Sequence, residues 1–228
     1  MPAISILLPS LRPMAALACC NAFRDTQPDV DYEIVLVAPF KIDDLKTRWI
    51  EEQTPKGVNA AMNLAHSAAI APVVAFWADD AKPALGCLAA ALDCLAAMPP
   101  PAIAALRMRY PNGAEANQWA VYGQHYACFG AIRKDDALAV GGLFDPRFHS
   151  YWADPDLALR VVGAGGQVKL CQAGFVEINQ IDDPLARENH ARRFALDYQA
   201  FARAWQPDEP VPQNWKLINK PVNPIALL

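Results

Sequence analysis

No Cys-x-x-Cys pair occurs among the six cysteines (Cys19, Cys20, Cys87, Cys94, Cys128 and Cys171), and none has zinc-ligand spacing to a histidine. A structural zinc site is therefore not expected, and free cysteines in this usage fit a reducing cytoplasm. Cys87 and Cys94 fall in an Ala/Leu stretch and read as small core residues. There is no basic run and no aromatic-interleaved basic stripe, and the net charge is −4, so nucleic acid is not an expected partner. No Gly-x-Gly-x-x-Gly follows the first strand, which argues against a dinucleotide site. The N-terminus lacks a basic n-region, and Pro9 cuts its apolar run at about half a membrane span. The expectation is a cytoplasmic protein without a transmembrane segment, any membrane contact being peripheral, at the inner face. No Gly/Ser-rich linker divides the 228 residues. They read as one domain over residues 1–180, with residues 181–228 as a helical extension and coil packed on it.

What is present is a succession of apolar runs separated by helical segments. Ile4 to Leu8 reads as a strand buried on both faces. It stops at Pro9-Ser10-Leu11-Arg12-Pro13, a polar loop of the kind that receives a ligand at a strand end. Pro13 suits the first turn of a helix over Met14 to Phe23. Tyr32 to Val37 is a second buried strand, ending at Ala38-Pro39, and the order points to a parallel βαβ unit. Arg48 to Ile50 reads as a short strand, and Lys56-Gly57-Val58-Asn59 leads into a helix over Ala60 to Ala69. His66 in that helix reads as a satisfied or exposed histidine rather than a ligand.

The stretch VVAFWADDAKP, Val73 to Pro83, organises the rest. Its strand ends abruptly in Ala78-Asp79-Asp80, and Pro83 begins a new element, followed by an Ala/Leu helix over Ala84 to Ala97. In parallel sheets ligands collect beyond the carboxyl ends of the strands. Two carboxylates there are oxygen ligands for a hard divalent cation that shares substrate phosphates. A solvated acidic loop, or charge at a helix N-terminus, is the alternative.

Ile103 to Tyr110 reads as a strand, with Pro111-Asn112-Gly113 turning it back onto Trp119 to Val121 as a hairpin. Tyr126 to Ile132 is a further strand, Arg133 begins a short helix, and Gly141 to Asp145 is a tight turn. In FHSYWADPDLALR, Asp154 and Asp156 precede a short amphipathic helix, Pro155 entering its first turn. Asp154 either caps that helix or, beside Tyr151 and Trp152 at a pocket rim, serves as a general base. Gln167 to Cys171 is another strand. Arg187 to Trp205 is an amphipathic helix whose Phe194, Tyr198, Phe201 and Trp205 read as core packing, and the tail from Pro207 reads as coil.

Four of these stretches, in order, resemble a family 2 glycosyltransferase of the GT-A fold, from about Ile4 to Val176: ISILLPSLRP, KGVNAAMNLAHSAAIAPVVAFWADDAKP, AIRKDDALAVGGLFDPRF and YWADPDLALRVVGAGGQV. The resemblance implies an α/β fold, a mostly parallel sheet flanked by helices, and inverting transfer from a nucleotide-sugar donor (a UDP- or other NDP-sugar). Mg²⁺ or Mn²⁺ is the implied cofactor, and a glycan or lipid-linked molecule the implied acceptor; a homodimer is allowed. Asp80 would ligate the metal, and Asp79 the metal or the ribose. Pro9, Ser10 and Arg12 would line the nucleotide, and Lys56 and Asn63 would touch base or phosphate. Asp154 would be the catalytic base, Tyr151, Trp152 and Asp156 would belong to the acceptor or sugar pocket, and Arg160 would be a structural arginine paired with Asp156.

The chain departs from that pattern at three positions. Ala38-Pro39 stands where the family has an aspartate pair that grips the base, Ala153 where it has a glutamate, and Asn179 near the position at which it often has a metal-ligating histidine. A GT-A domain that binds nucleotide or glycan without turnover is the second reading. A related nucleotidyltransferase is the third, although SLRP supplies only Arg12 to a phosphate loop. Acceptor choice would rest on the Gln118 to Tyr126 loop and the C-terminal extension.

Overall fold

The computed structural model describes residues 1–116, 119–178 and 184–205, so Gln118, Asn179 and the tail from Pro207 lie outside the described residues. The first half runs β1 (Ile4–Pro9), α1 (Pro13–Thr26), β2 (Tyr32–Ala38), β3 (Thr47–Glu51), α2 (Val58–Ala68) and β4 (Val73–Phe76). Then follow β5 (Ala81–Pro83), α3 (Cys87–Ala96), β6 (Ala102–Arg109), β7 (Glu115–Ala116), β8 (Trp119–Val121), β9 (Gln124–Tyr126) and β10 (Gly130–Arg133). The chain continues through α4 (Lys134–Ala139), α5 (Ala153–Gly163), β11 (Gln167–Ile178) and α6 (Pro184–Ala204).

The main sheet has the order β3-β2-β1-β4-β10-β6-β11-β5, with β7 paired to β6. The β1–β2, β2–β3, β1–β4 and β6–β11 pairs are parallel, and β10 is antiparallel to both its neighbours. From β1 the chain steps outward through β2 and β3, then returns to the other side of β1 as β4. The loops after β1 and β4 are therefore neighbours at one end of the sheet, the arrangement in which α/β proteins leave a crevice.

Alternation along the buried strands feeds two cores. Ile4, Ile6, Leu8, Ile34 and Leu36 face the layer that holds α1 and α3. Leu7, Val35, Val37 and Val74 face the layer of α2, α5 and α6. Period-2 placement on both faces is why these strands read as unbroken apolar runs. The one polar residue within β1, Ser5, is fully buried and donates to Glu33 Oε1 at 2.6 Å, while Ala71 N–H donates to its hydroxyl.

Four local expectations are corrected. The turn after β6 closes at once, Tyr110 N–H donating to Ala114 O at 2.8 Å, so β6 pairs with β7. Trp119–Val121 instead pairs with β9 in a separate two-stranded sheet. The run from Tyr126 to Ile132 breaks over residues 127–129, where Phe129 O accepts from Leu106 N–H ahead of β10. The final strand, expected over Gln167 to Cys171, runs on to Ile178 through an irregularity between Cys171 and Phe175, and its end pairs with the short β5. Asp154 lies inside the first turn of α5 rather than before it, Trp152 holding the cap position without a side-chain cap bond.

Candidate active site

The crevice between the β1 and β4 loops is organised by Asp79. It is buried, and Oδ2 accepts from Ser10 Oγ at 2.5 Å and from Arg12 Nε at 3.1 Å, while Arg12 Nη2 bonds to Oδ1. The β1 loop closes on itself through Arg12 N–H to Ser10 Oγ at 3.0 Å, and Ser10 N–H donates to Val37 O of β2. Both loops are thus fixed to the carboxyl ends of adjacent strands. Asp80 is more open, with its side chain 35% exposed and Arg12 Nη2 3.9 Å away. Burial pushes the Asp80 carboxyl above its ordinary pKa, and Arg12 partly offsets this.

Ser10, Arg12 and Asp79 line a cleft of about 530 Å³, and Asp80 is the residue next to that lining. Pro9, Leu11, Val37, Pro55, Val58 and Ala61 supply an apolar half, of a kind that takes a flat ring. Arg12, Asp79, Arg192 and Arg193 supply a charged half, and Glu52, Glu188 and His149 also line the cleft. Gly57 makes the narrow part of the wall. Its φ is +110°, and a Cβ there would stand 2.6 Å from His149 O. Only glycine combines that backbone conformation with so close an approach.

Asp154 lies near the same end of the sheet. Gly130 pairs with Phe76 at the end of β4, the Phe129 ring lies 5.5 Å from that of Trp77, and the adjacent Cys128 thiol is close enough to Asp154 to influence its ionisation. The strand that ends in Asp79-Asp80 and the helix that carries Asp154 are therefore joined through Cys128 and Phe129. Burial raises the pKa of Asp154 to about 7, outweighing its own backbone N–H and the Cys128 thiol, which favour the carboxylate. Burial and the nearby carboxylate push the Cys128 thiol up, so it remains a neutral donor at neutral pH.

Other anticipated site residues are placed differently. Asn63 is occupied by the backbone of Phe144, donating to its carbonyl at 2.7 Å and accepting from its N–H at 3.0 Å, and so pins the Gly141–Asp145 turn to α2. Lys56 is exposed and does not line the cleft. Asp156 is fully buried and accepts from Arg160 Nε and from Trp205 Nε1, both at 2.8 Å. With no exposed surface it forms no pocket wall, a correction to its assignment beside the acceptor, whereas its pairing with Arg160 is as expected. Arg160 also donates to the carbonyls of Val140, Gly142 and Leu143, which holds the same turn from the α5 side. Trp152 is buried against Phe194, Tyr198 and Phe201 of α6 with its backbone in the left-handed region at φ 65°. Tyr151 packs edge-on against His190 and Phe194.

The residues that the sequence reading missed come chiefly from α6. Glu188, Asn189, Arg192 and Arg193 line the cleft. Asp197, buried, accepts from the backbone N–H groups of His149 at 3.2 Å and of Ser150 and Tyr151 at 2.8 Å. Only the amphipathic pattern of α6 was readable, and it said nothing of what the polar face meets. Among the described residues no group of three or more His, Cys, Asp or Glu side chains could hold a metal ion. Asp79 is turned to Ser10 and Arg12, which leaves Asp80 as the one open carboxylate of the pair. That fits Mg²⁺ or Mn²⁺ of the sort that takes one protein carboxylate and completes its shell with phosphate oxygens and water. No described helix is long and apolar enough to cross a membrane.

No protein-family model matches the chain, and no curated protein sequence does. Solved structures do. The mannosyltransferase PcManGT from Pyrobaculum calidifontis, in complex with GDP-Man and Mn²⁺, superposes with a TM-score of 0.66 at 16% identity, over 92% of this chain and 66% of that one. GalNAc-T7 with UDP, GalNAc and Mn²⁺ gives 0.63 at 10% identity, over 78% and 44%. S. aureus TarS 1–349 with UDP-GlcNAc gives 0.61 at 13%, over 79% and 59%. The α/β fold, with its mixed, mostly parallel sheet flanked by helices, is that of the GT-A transferases. The chain spans between 44% and 66% of those three proteins.

Proposed function

We propose that this chain is a glycosyltransferase of the family 2 type, moving a sugar with inversion from a nucleoside-diphosphate donor to an acceptor hydroxyl in polysaccharide or glycoconjugate synthesis. The observation that carries this reading is the pairing of two features at one end of the sheet: the Ser10–Arg12–Asp79 cleft with Asp80 beside it, and a carboxylate, Asp154, whose pKa of about 7 suits a base at neutral pH. The GT-A architecture supports it, as do the UDP- and GDP-sugars bound by PcManGT and TarS.

In this reading the apolar half of the cleft takes the base and ribose. Glu52 is the lining carboxylate placed to accept N–H groups of the base, in the role vacated by Ala38-Pro39. Asp79 holds Ser10 and Arg12 in place, so that Arg12 presents a fixed cation to the diphosphate. Asp80 would hold Mg²⁺ or Mn²⁺, whose contribution is Lewis-acid stabilisation of the charge on the departing phosphate oxygen. Asp154 removes the proton from the acceptor hydroxyl as that oxygen attacks the anomeric carbon from the face opposite the leaving diphosphate.

The test is a thermal-shift screen against nucleoside diphosphates with and without Mn²⁺, followed by assay of donor-sugar transfer and hydrolysis. A nucleotide at one hundred times its Kd stabilises by about 2.7 kcal/mol. The expected result is a shift with one nucleotide that grows with Mn²⁺ and loses that growth in Asp80→Asn. No shift with any nucleotide would overturn the assignment. Nucleotide binding without transfer or hydrolysis would instead favour a domain that binds without turnover, a reading supported by Ala153 and by the hold of Arg12 on Asp79.

A further inference from the structure

The charges around the cleft are unequally matched. Arg12 is committed to Asp79 and lies within reach of Asp80. Arg192 pairs with Glu188 at 3.3 Å, both side chains being well exposed. Arg193 is different. It is half-buried in the cleft wall, and among the described residues it makes no hydrogen bond or ion pair. Asp197, four residues along α6, would be its partner by helical spacing. That carboxylate is turned instead to three consecutive backbone N–H groups of the 149–151 segment. His149, across from α6, feels Arg193 and Arg192 as positive charge, and burial together with that charge lowers its pKa. A half-buried cation on a cleft wall, with Asp197 and Glu188 of its own helix engaged elsewhere, suits an anion.

We propose that Arg193 binds a phosphoryl group of the nucleoside diphosphate in this cleft, so that α6 is part of the donor site. The inference rests on the reading of the cleft as a nucleotide site and goes beyond it by naming a diphosphate contact outside the β1 and β4 loops. A guanidinium suits this role because its planar fork can donate two parallel hydrogen bonds to phosphate oxygens. Arg12, tied to Asp79, supplies the fixed charge of the β1–β4 side, and Arg193 supplies a charge that the free protein leaves uncompensated.

Calorimetric titration of the full chain with UDP and GDP, and with uridine and guanosine, tests this in wild type, Arg193→Ala, Arg193→Gln, Arg193→Lys and Arg203→Ala. Arg203 is an exposed arginine of the same helix that does not line the cleft. The expected result is a nucleoside-diphosphate affinity about 10- to 100-fold weaker in Arg193→Ala and Arg193→Gln, the scale of one lost charge-assisted hydrogen-bonded contact. Arg193→Lys should recover part of it, while nucleoside affinity and Arg203→Ala stay at the wild-type level. Equal nucleoside-diphosphate affinity in wild type and Arg193→Gln overturns the inference and leaves the nucleotide cleft standing. Parallel loss of nucleoside and nucleotide binding also overturns it, because the effect would not belong to the phosphate. A wild type that binds no nucleotide removes both this inference and the function on which it rests.

Discussion

Asp154 is a single residue whose ionisation links stability and activity to pH in opposite directions. Its carboxyl ionises near 3.9 in an unfolded chain and at about 7 in the fold. Between those values the native state holds a proton that the unfolded state has lost. The group's stabilising contribution is therefore complete below the unfolded value and declines as pH rises to the folded one. Activity should run the other way, because a base works only when ionised. Transfer measured as kcat/KM should rise with pH to a plateau with a midpoint near 7. Asp154→Asn should lose about 10²–10⁴ of the rate together with that rising limb, while melting at a higher temperature than wild type above neutral pH. A variant that keeps the limb would remove Asp154 from the base role.

The same scale separates what was readable from what was not. Ser10, Arg12 and Asp79 end or follow apolar strand runs, and such runs in a parallel sheet place their next residues at one end. Their meeting follows from topology. Asn63 lies on a helix with the same kind of local context, yet its amide is spent on the backbone of Phe144, 81 positions away. No local pattern distinguishes a side chain that reaches a ligand from one that reaches a distant turn.

Among the elements, α6 carries the least legible information. Of the aromatic positions expected to pack, Phe201 is fully buried, whereas Tyr198 stays 38% exposed. On the polar face, Arg193 and Asp197 stand at the spacing of a surface ion pair, and the pattern gives no sign of any other partner. Asp197 instead gathers the backbone of the 149–151 segment between α4 and α5, which leads through Trp152 into the turn bearing Asp154. Removing that acceptor leaves three N–H groups to find water in a partly covered loop. Asp197→Ala should therefore destabilise by about 2–4 kcal/mol, with Asp197→Asn costing less because one carbonyl oxygen remains. Urea unfolding would measure this. An Asp197→Ala midpoint equal to that of wild type would mean that the loop holds itself.

At the scale of the molecule, the issue is whether α6 is an appendage or part of the domain. Phe201 lies 5.9 Å from Tyr122, 6.5 Å from Phe148 and 5.1 Å from Trp152, inside the core layer that also contains α2 and α5. Trp205 bonds to the buried Asp156, so the Asp156–Arg160 pair that holds the 140–143 turn is completed from α6 as well. Deleting an aromatic side chain from a core costs about 3–5 kcal/mol, and domains are typically stable by only about 5–15 kcal/mol. Loss of the whole helix removes Phe194, Phe201 and Trp205 together, and strips the acceptor from the 149–151 segment. A chain ending at Ile178 should therefore lack a cooperative transition, while the full chain melts once, with far-UV circular dichroism and tryptophan fluorescence coinciding. If the shortened chain melted cooperatively within a few degrees of the full one, α6 would be an added layer, and the cleft wall it provides would be separable from the fold.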